Sequence, residues 1–201
     1  MEKLNAAAER LKKRNYGVRI FETAAETRTA LLEELKSVDS VGMGGSATIQ
    51  SLNVTEELER AGKTVCWHWV SRPEDGDARQ AALGADVYLC SANAVTGDGQ
   101  LLFIDGTGNR VSAVCFGPKK VILVVGVNKL AGDLEDGFRR IREQVCPPNA
   151  KRLGLKTPCA LTGRCTDCDS PQRMCNAFLT LERAPKGHPV EVWLVNEALG
   201  Y

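Results

Sequence analysis

Residues 120–125 read Lys120-Val121-Ile122-Leu123-Val124-Val125. A continuous β-branched run of this kind marks a strand buried on both faces of a parallel sheet, since a strand with one wet face would alternate apolar and polar residues. Just downstream, Leu130, Leu134, Phe138, Ile141 and Val145 recur at spacings of 4, 4, 3 and 4. That period predicts an amphipathic helix.

Working outward, the same alternation of strand and helix recurs. Leu4, Ala8 and Leu11 share a helical face, and Gly17 to Phe21 reads as a short strand. Thr23 and Glu26 form a capping-box pair that opens a helix running to about Leu35. A strand is expected over Ser37 to Val41, ending in a glycine cluster, then a helix, and another helix over Thr55 to Ala61. Thr64 to Trp69, Ala85 to Cys90 and Val190 to Val195 read as further strands, and Leu101 to Ile104 as a short extended piece. Residues 71–79 are polar and read as a loop. This order predicts an α/β fold, a mostly parallel sheet covered on both faces. The segment from Cys146 to Asn176 is rich in Pro, Gly, Cys and Asn and lacks periodicity, so something must hold it in place.

The 201 residues suit one α/β domain, 1–201, with the Cys-rich segment at about 146–176 as part of it. The formal net charge is +1, which gives no electrostatic case for nucleic acid or an anionic membrane. No apolar run approaches a membrane span, and the charged N-terminal stretch is unlike a signal peptide, so a cytoplasmic location is the expectation. Association into a homo-oligomer is left open.

Three loop constellations carry candidate chemistry. The first is Val41-Gly42-Met43-Gly44-Gly45-Ser46-Ala47-Thr48, placed where a strand turns into a helix. Glycines let the backbone approach a ligand, and free N–H groups favour an anion. Gly42, Gly44, Gly45, Ser46 and Thr48 are therefore candidate ligand contacts, and a tight turn without a ligand is the alternative. The loop also fits a dinucleotide fingerprint, but the acidic residue expected after the next strand is missing, and no P-loop lysine follows.

The second runs from Asp98 through Asp105, Asn109 and Arg110. Asp98 or Asp105 could act as a base or polar anchor, and Arg110 could clamp a carboxylate with two N–H groups. Asp and Gly are also simply what turns are made of. The third is Asn128-Lys129, just beyond the core strand, where a lysine is either a site residue or a solvated charge. His68, set between two tryptophans, reads as a satisfied structural residue, and Cys66, Cys90 and Cys115 read as buried small hydrophobes.

The sharpest signal is Cys159-x5-Cys165-x2-Cys168-x6-Cys175. Four thiolates in one turn-rich segment suit a [4Fe–4S] cluster or a tetrahedral zinc, with the cluster favoured. Thiol–disulfide chemistry and unliganded cysteines are the alternatives. Cys146 lies upstream as a spare thiol.

Taken together, VGMGGSATI, ANAVTGDGQLLFIDGTGNRVSA, FGPKKVILVVGVNKL, LEDGFRRIREQV and KTPCALTGRCTDCDSPQRMCN resemble the LUD (lactate-utilisation, LutC/YkgG-like) family, over about Val41 to Asn176. The cysteine-rich tail resembles a subset of that family. The resemblance implies a three-layer α/β sandwich of the NagB/RpiA/CoA-transferase-like kind. It also implies a part in oxidising L-lactate to pyruvate beside iron–sulfur partner proteins. The expected ligand is a small anionic metabolite, a carboxylate or phosphorylated compound. A non-catalytic binding or assembly subunit with a metal staple is the alternative, and a transferase or isomerase the third reading.

Overall fold

The computed structural model describes residues 1–71 and 76–201. In chain order its elements are α1 (Glu2–Lys13), β1 (Gly17–Phe21), α2 (Ala24–Glu34), β2 (Ser40–Met43), α3 (Ala47–Leu52), α4 (Thr55–Arg60), β3 (Thr64–Trp67), α5 (Ala78–Leu83) and β4 (Val87–Cys90). There follow β5 (Ala94–Val95), β6 (Leu101–Asp105), α6 (Asn109–Cys115), β7 (Lys120–Gly126), α7 (Leu134–Arg140), α8 (Cys146–Arg152), α9 (Pro158–Thr162), β8 (Ala177–Leu181) and β9 (Val190–Val195).

Six strands form one parallel sheet in the order β1-β9-β7-β4-β2-β3. The residues of β7 explain its position. Val121, Leu123 and Val125 enter one core cluster, with Leu4, Leu11 and Val114. Ile122 and Val124 enter the other, with Leu31, Ile49 and Leu58. Because successive side chains point to opposite faces, only an uninterrupted apolar run can serve both layers. The result is a three-layer α/β sandwich, as the sequence predicts. Among the described residues no helix is long and apolar enough to cross a membrane.

A second, antiparallel sheet, β5-β6-β8, packs with the chain beyond β7 around Leu102, Ile104 and Ile141. The strand β8 had no sequence signal of its own. It pairs residue by residue with β6, from Leu101↔Leu181 to Asp105↔Ala177.

Several boundaries differ from the sequence reading, each for a local reason. Leu35–Ser37 tightens into a 3₁₀ turn, so β2 begins at Ser40 and takes Gly42 inside the strand. β3 stops at Trp67, whose carbonyl accepts from the N–H groups of Val70 and Ser71 and turns the chain. The polar stretch at 71–79 contains a helix start, since the Asp77 carboxylate accepts from the Arg79 N–H at 2.9 Å and caps α5. Residues 72–75 of that stretch lie outside the described residues.

The amphipathic helix starts later than its period suggests. Leu130 lies before it, bridged to Val95, and Asp133 caps α7 by accepting from the Asp136 N–H at 2.9 Å. The helix then passes through a π turn at Ile141–Val145 and continues as α8. The start of the supposedly irregular Cys146–Asn176 segment is therefore helical. Pro147 and Pro148 fit because the first turn of a helix has N–H groups to spare.

Candidate functional site

In a parallel sheet all strands point one way, so the loops after their C-terminal ends gather at one edge. Here the segments after β2, β3, β4 and β7 meet the end of β6, helix α8 and Tyr201 around a cavity of about 250 Å³. That size suits a small metabolite.

Lys129 forms its floor. It lies in the 3₁₀ turn Val127–Lys129 that ends β7 and is only 3% exposed. Its Nζ donates to Thr48 Oγ1 at 2.7 Å and to Ser91 Oγ at 2.8 Å. Both hydroxyls spend their own protons elsewhere, Thr48 on the Leu199 carbonyl and Ser91 on the Ala92 carbonyl. Burial, with the nearby Arg140 and Arg110 guanidiniums, brings the Lys129 ammonium down from its ordinary 10.5 to about 7. The solvated-charge reading of Lys129 is thus replaced by a buried amine.

This has a consequence for stability. Between pH 7 and 10.5 the unfolded chain holds a proton that the folded chain lacks, so stability rises with pH across that window. Lys129→Met removes the effect. Paired urea unfolding should show wild type gaining on Lys129→Met as pH climbs through the window, and a constant difference would contradict a buried, easily deprotonated Lys129.

Arg110 forms one wall. Its guanidinium donates to the carbonyl of Ile104, to Asn93 Oδ1 at 3.1 Å and to the Ser91 carbonyl at 3.4 Å. Those bonds fix its plane and leave two of its five N–H groups for a ligand. Asp105 lies beside it at the end of β6. The Asp105 carboxylate accepts from the backbone N–H groups of Arg110 at 2.9 Å and Val111 at 3.2 Å. It therefore caps α6 from upstream, where Gly108, with φ 91°, offers no side chain. Asn109, the first residue of α6, also lines the cavity.

The glycine-rich loop contributes less than its composition suggests. Gly45, Ser46 and Thr48 line the cavity. The Ser46 hydroxyl accepts from the Ile49 N–H at 3.3 Å and so caps α3. Gly44 sends its N–H to the Leu89 carbonyl at 3.1 Å, and Gly42 packs inside β2 against α5. Neither lines the cavity.

Two other candidates stand apart. Asp98 is exposed on the turn between β5 and β6, where its carbonyl accepts from Arg14. Asn128 is a tether, its Oδ1 accepting from the Leu199 N–H at 3.1 Å and its Nδ2 donating to the Gly200 carbonyl at 3.2 Å. That tether helps bring Tyr201 to the cavity rim.

Other residues line the site without having been singled out by sequence. Ser91 and Asn93 directly follow β4, and strand-end position alone could have flagged them. Arg152 arrives on α8, stacked 4.6 Å over the Trp69 ring. Arg79 arrives on α5, its Nε buried and without a partner among the described residues. His68 is also unlike its sequence reading. It sits in the turn after β3, lines the cavity, and has a buried Nδ1 without a partner among the described residues. Burial and the nearby Arg79 lower its proton affinity.

Arg79, Arg110, Lys129 and Arg152 thus surround a space in which, among the described residues, Asp105 is the one lining carboxylate, committed to backbone N–H groups. Among the described residues none of these four side chains is in a salt bridge. Such a charge distribution favours an anion over a cation.

The cysteine element abuts this cavity. Met174 lines it directly, and the Asn176 side chain and N–H bond the carbonyls of Gly106 and Asp105, both at 3.0 Å. Arg173 organises the loop from within, donating to the carbonyls of Cys168 at 2.7 Å and Cys175 at 3.0 Å. Cys146, at the head of α8, faces the same region. Burial, with the thiols of Cys175, Cys165 and Cys159 nearby, pushes it up to about 12. All eight cysteines are free thiols, Cys90 and Cys146 buried and the others partly exposed, so Cys66 and Cys115 are less buried than their sequence surroundings suggest. The donor chemistry suits iron or zinc. Among the described residues, however, no three His, Cys, Asp or Glu side chains are gathered as a metal ion requires.

Comparison with known proteins places this architecture. The family model described as the LUD domain matches residues 4–195. A crystal structure of a DUF162 family protein from Deinococcus radiodurans is similar in fold, with a TM-score of 0.54 and 96% of each chain covered at 16% identity. No curated protein matches the chain.

Proposed function

The chain belongs to the LUD domain family, and from that premise we propose that it is a lactate-utilisation protein, a cytoplasmic component of an L-lactate-oxidising system, which holds a small carboxylate or phosphorylated metabolite in the cavity at the strand ends. The observation that carries this reading is the set of three arginines, Arg79, Arg110 and Arg152, around one small cavity, none of them in a salt bridge among the described residues. Arg110 keeps two N–H groups for a carboxylate, Asn109 and Gly45 line the cavity with it, and Lys129 supplies a buried amine at the floor. Titration calorimetry with L-lactate, pyruvate and inorganic phosphate tests the reading. Saturable binding of at least one of them, weakened by salt, is expected. No binding of any would overturn it.

The chain is further assigned to a four-cysteine subset of the family, with Cys159, Cys165, Cys168 and Cys175 as ligands of a [4Fe–4S] cluster or zinc. The segment would close around the metal on loading. A cluster would supply an electron-transfer centre beside the cavity and a route to iron–sulfur partner proteins, while the residues of the chain itself bind and orient the anion. Anaerobically purified protein is expected to contain iron and acid-labile sulfide, both lost in a Cys165→Ser, Cys168→Ser double variant. Stoichiometric zinc in colourless protein would favour a second reading, a metal staple in a binding or assembly subunit. The bonds from Asn176 to the Asp105–Gly106 turn favour that reading, because a closed metal there would stiffen the cavity wall.

A further inference from the structure

The hydrogen bonds around Lys129 distinguish an amine from an ammonium. Thr48 Oγ1 and Ser91 Oγ each accept one bond from Nζ, at 2.7 and 2.8 Å, and their own protons are directed to the carbonyls of Leu199 and Ala92. Two acceptors match the two N–H groups of a neutral amine and leave its lone pair free. Among the described residues no carboxylate is in a salt bridge with Lys129 to hold it as a cation. Arg110 and Arg140 press against the charged form instead. Lysines that act as nucleophiles toward carbonyls are activated in this way, by burial beside other cations.

Resting on the anion-binding reading of the cavity, we propose that Lys129 is a catalytic nucleophile that forms a Schiff base with an anionic carbonyl compound, whose carboxylate or phosphate is held by Arg110 and its neighbouring cations. The Nζ lone pair attacks the carbonyl carbon and a C–N bond forms. Both amine protons pass to the carbonyl oxygen, which leaves as water, and a C=N bond replaces the C=O bond. The step is a condensation with no net oxidation, so it needs no further reactant. The Ser91 and Thr48 hydroxyls, in contact with Nζ, can accept and return the protons as they move. The imine formed is an electron sink for bond making or breaking at the adjacent carbon. The cations supply the specificity, because an uncharged aldehyde or ketone would leave them unpaired in a small, partly desolvated space.

The test is trapping with sodium borohydride on the intact protein at neutral pH, followed by peptide mass analysis. One arm uses pyruvate as a 2-oxo acid, the other glyceraldehyde 3-phosphate as a phosphorylated carbonyl compound. Surface lysines, with ordinary values of about 10.4, are almost wholly protonated and react slowly. A reduced adduct is expected on the peptide carrying Lys129 in at least one arm, and the arm that labels identifies the anionic group. Lys129→Arg, which has no nucleophilic amine, should lose that adduct. The wild-type peptide map is decisive even if the variant folds poorly. No adduct on Lys129 with either compound, or labelling spread evenly over surface lysines, would overturn the proposal. Calorimetry on the same samples separates the two readings. Binding without an adduct removes the Schiff base and leaves the anion site standing, whereas neither binding nor adduct removes both.

Discussion

Replacing Arg110 by alanine is expected to weaken binding of a small carboxylate by about 2–4 kcal/mol, roughly 30-fold to 10³-fold in Kd. The size follows from position. The guanidinium is fixed by Ser91, Asn93 and Ile104, so little side-chain freedom is lost when a ligand arrives. It also sits in a small space where water screens poorly. Arg110→Lys keeps the charge and loses the fixed planar donors, so an intermediate loss is expected. Calorimetry on the three proteins checks the order, and equal affinities would show that the anion is held elsewhere.

Gly42→Val is expected to cost about 3 kcal/mol of folding stability, read as a fall in the urea midpoint. A Cβ at Gly42 would lie 2.6 Å from the Ala82 carbonyl oxygen, 3.0 Å from the Ala82 Cα and 2.9 Å from Tyr88 Cδ2. Two of those atoms are backbone of α5, which can give way only if the helix moves off the sheet. Gly42→Ala should show a smaller loss of the same sign. A Gly42 that served a ligand would show the reverse pattern, with binding lost at unchanged stability.

Gly42 also illustrates what a sequence can and cannot say. The glycine cluster is visible as a cluster, but which glycine serves a turn, a helix contact or a cavity depends on where β2 begins. That start was displaced by the 3₁₀ turn at Leu35–Ser37. The strand β7 was legible because burial on both faces demands an unbroken apolar run, with alternate residues entering the two cores. β8 was hidden because its partner, β6, lies far away in sequence and pairing across the sheet leaves no local mark.

The site divides in the same way. Thr48, Arg110 and Lys129 were legible because they follow strand ends, where an open α/β sheet collects ligands. Arg79 and Arg152 were not, since each comes from a short helix whose placement depends on long-range packing, Arg152 through the π turn before α8. Lys129 was found by position, but its protonation depends on its burial, with Arg140 and Arg110 nearby, which no local pattern reveals. Asp105 was seen as a candidate base, and the structure gives it a further duty as the cap of α6.

One cavity is proposed to hold a small anion between Arg110 and Lys129, and a crystal structure of the protein with pyruvate is the measurement that decides it. A carboxylate is expected within hydrogen-bond distance of the Arg110 guanidinium, with a carbonyl carbon facing, or bonded to, Lys129 Nζ. Pyruvate bound elsewhere, with Arg110 and Lys129 keeping only their protein partners, would contradict it.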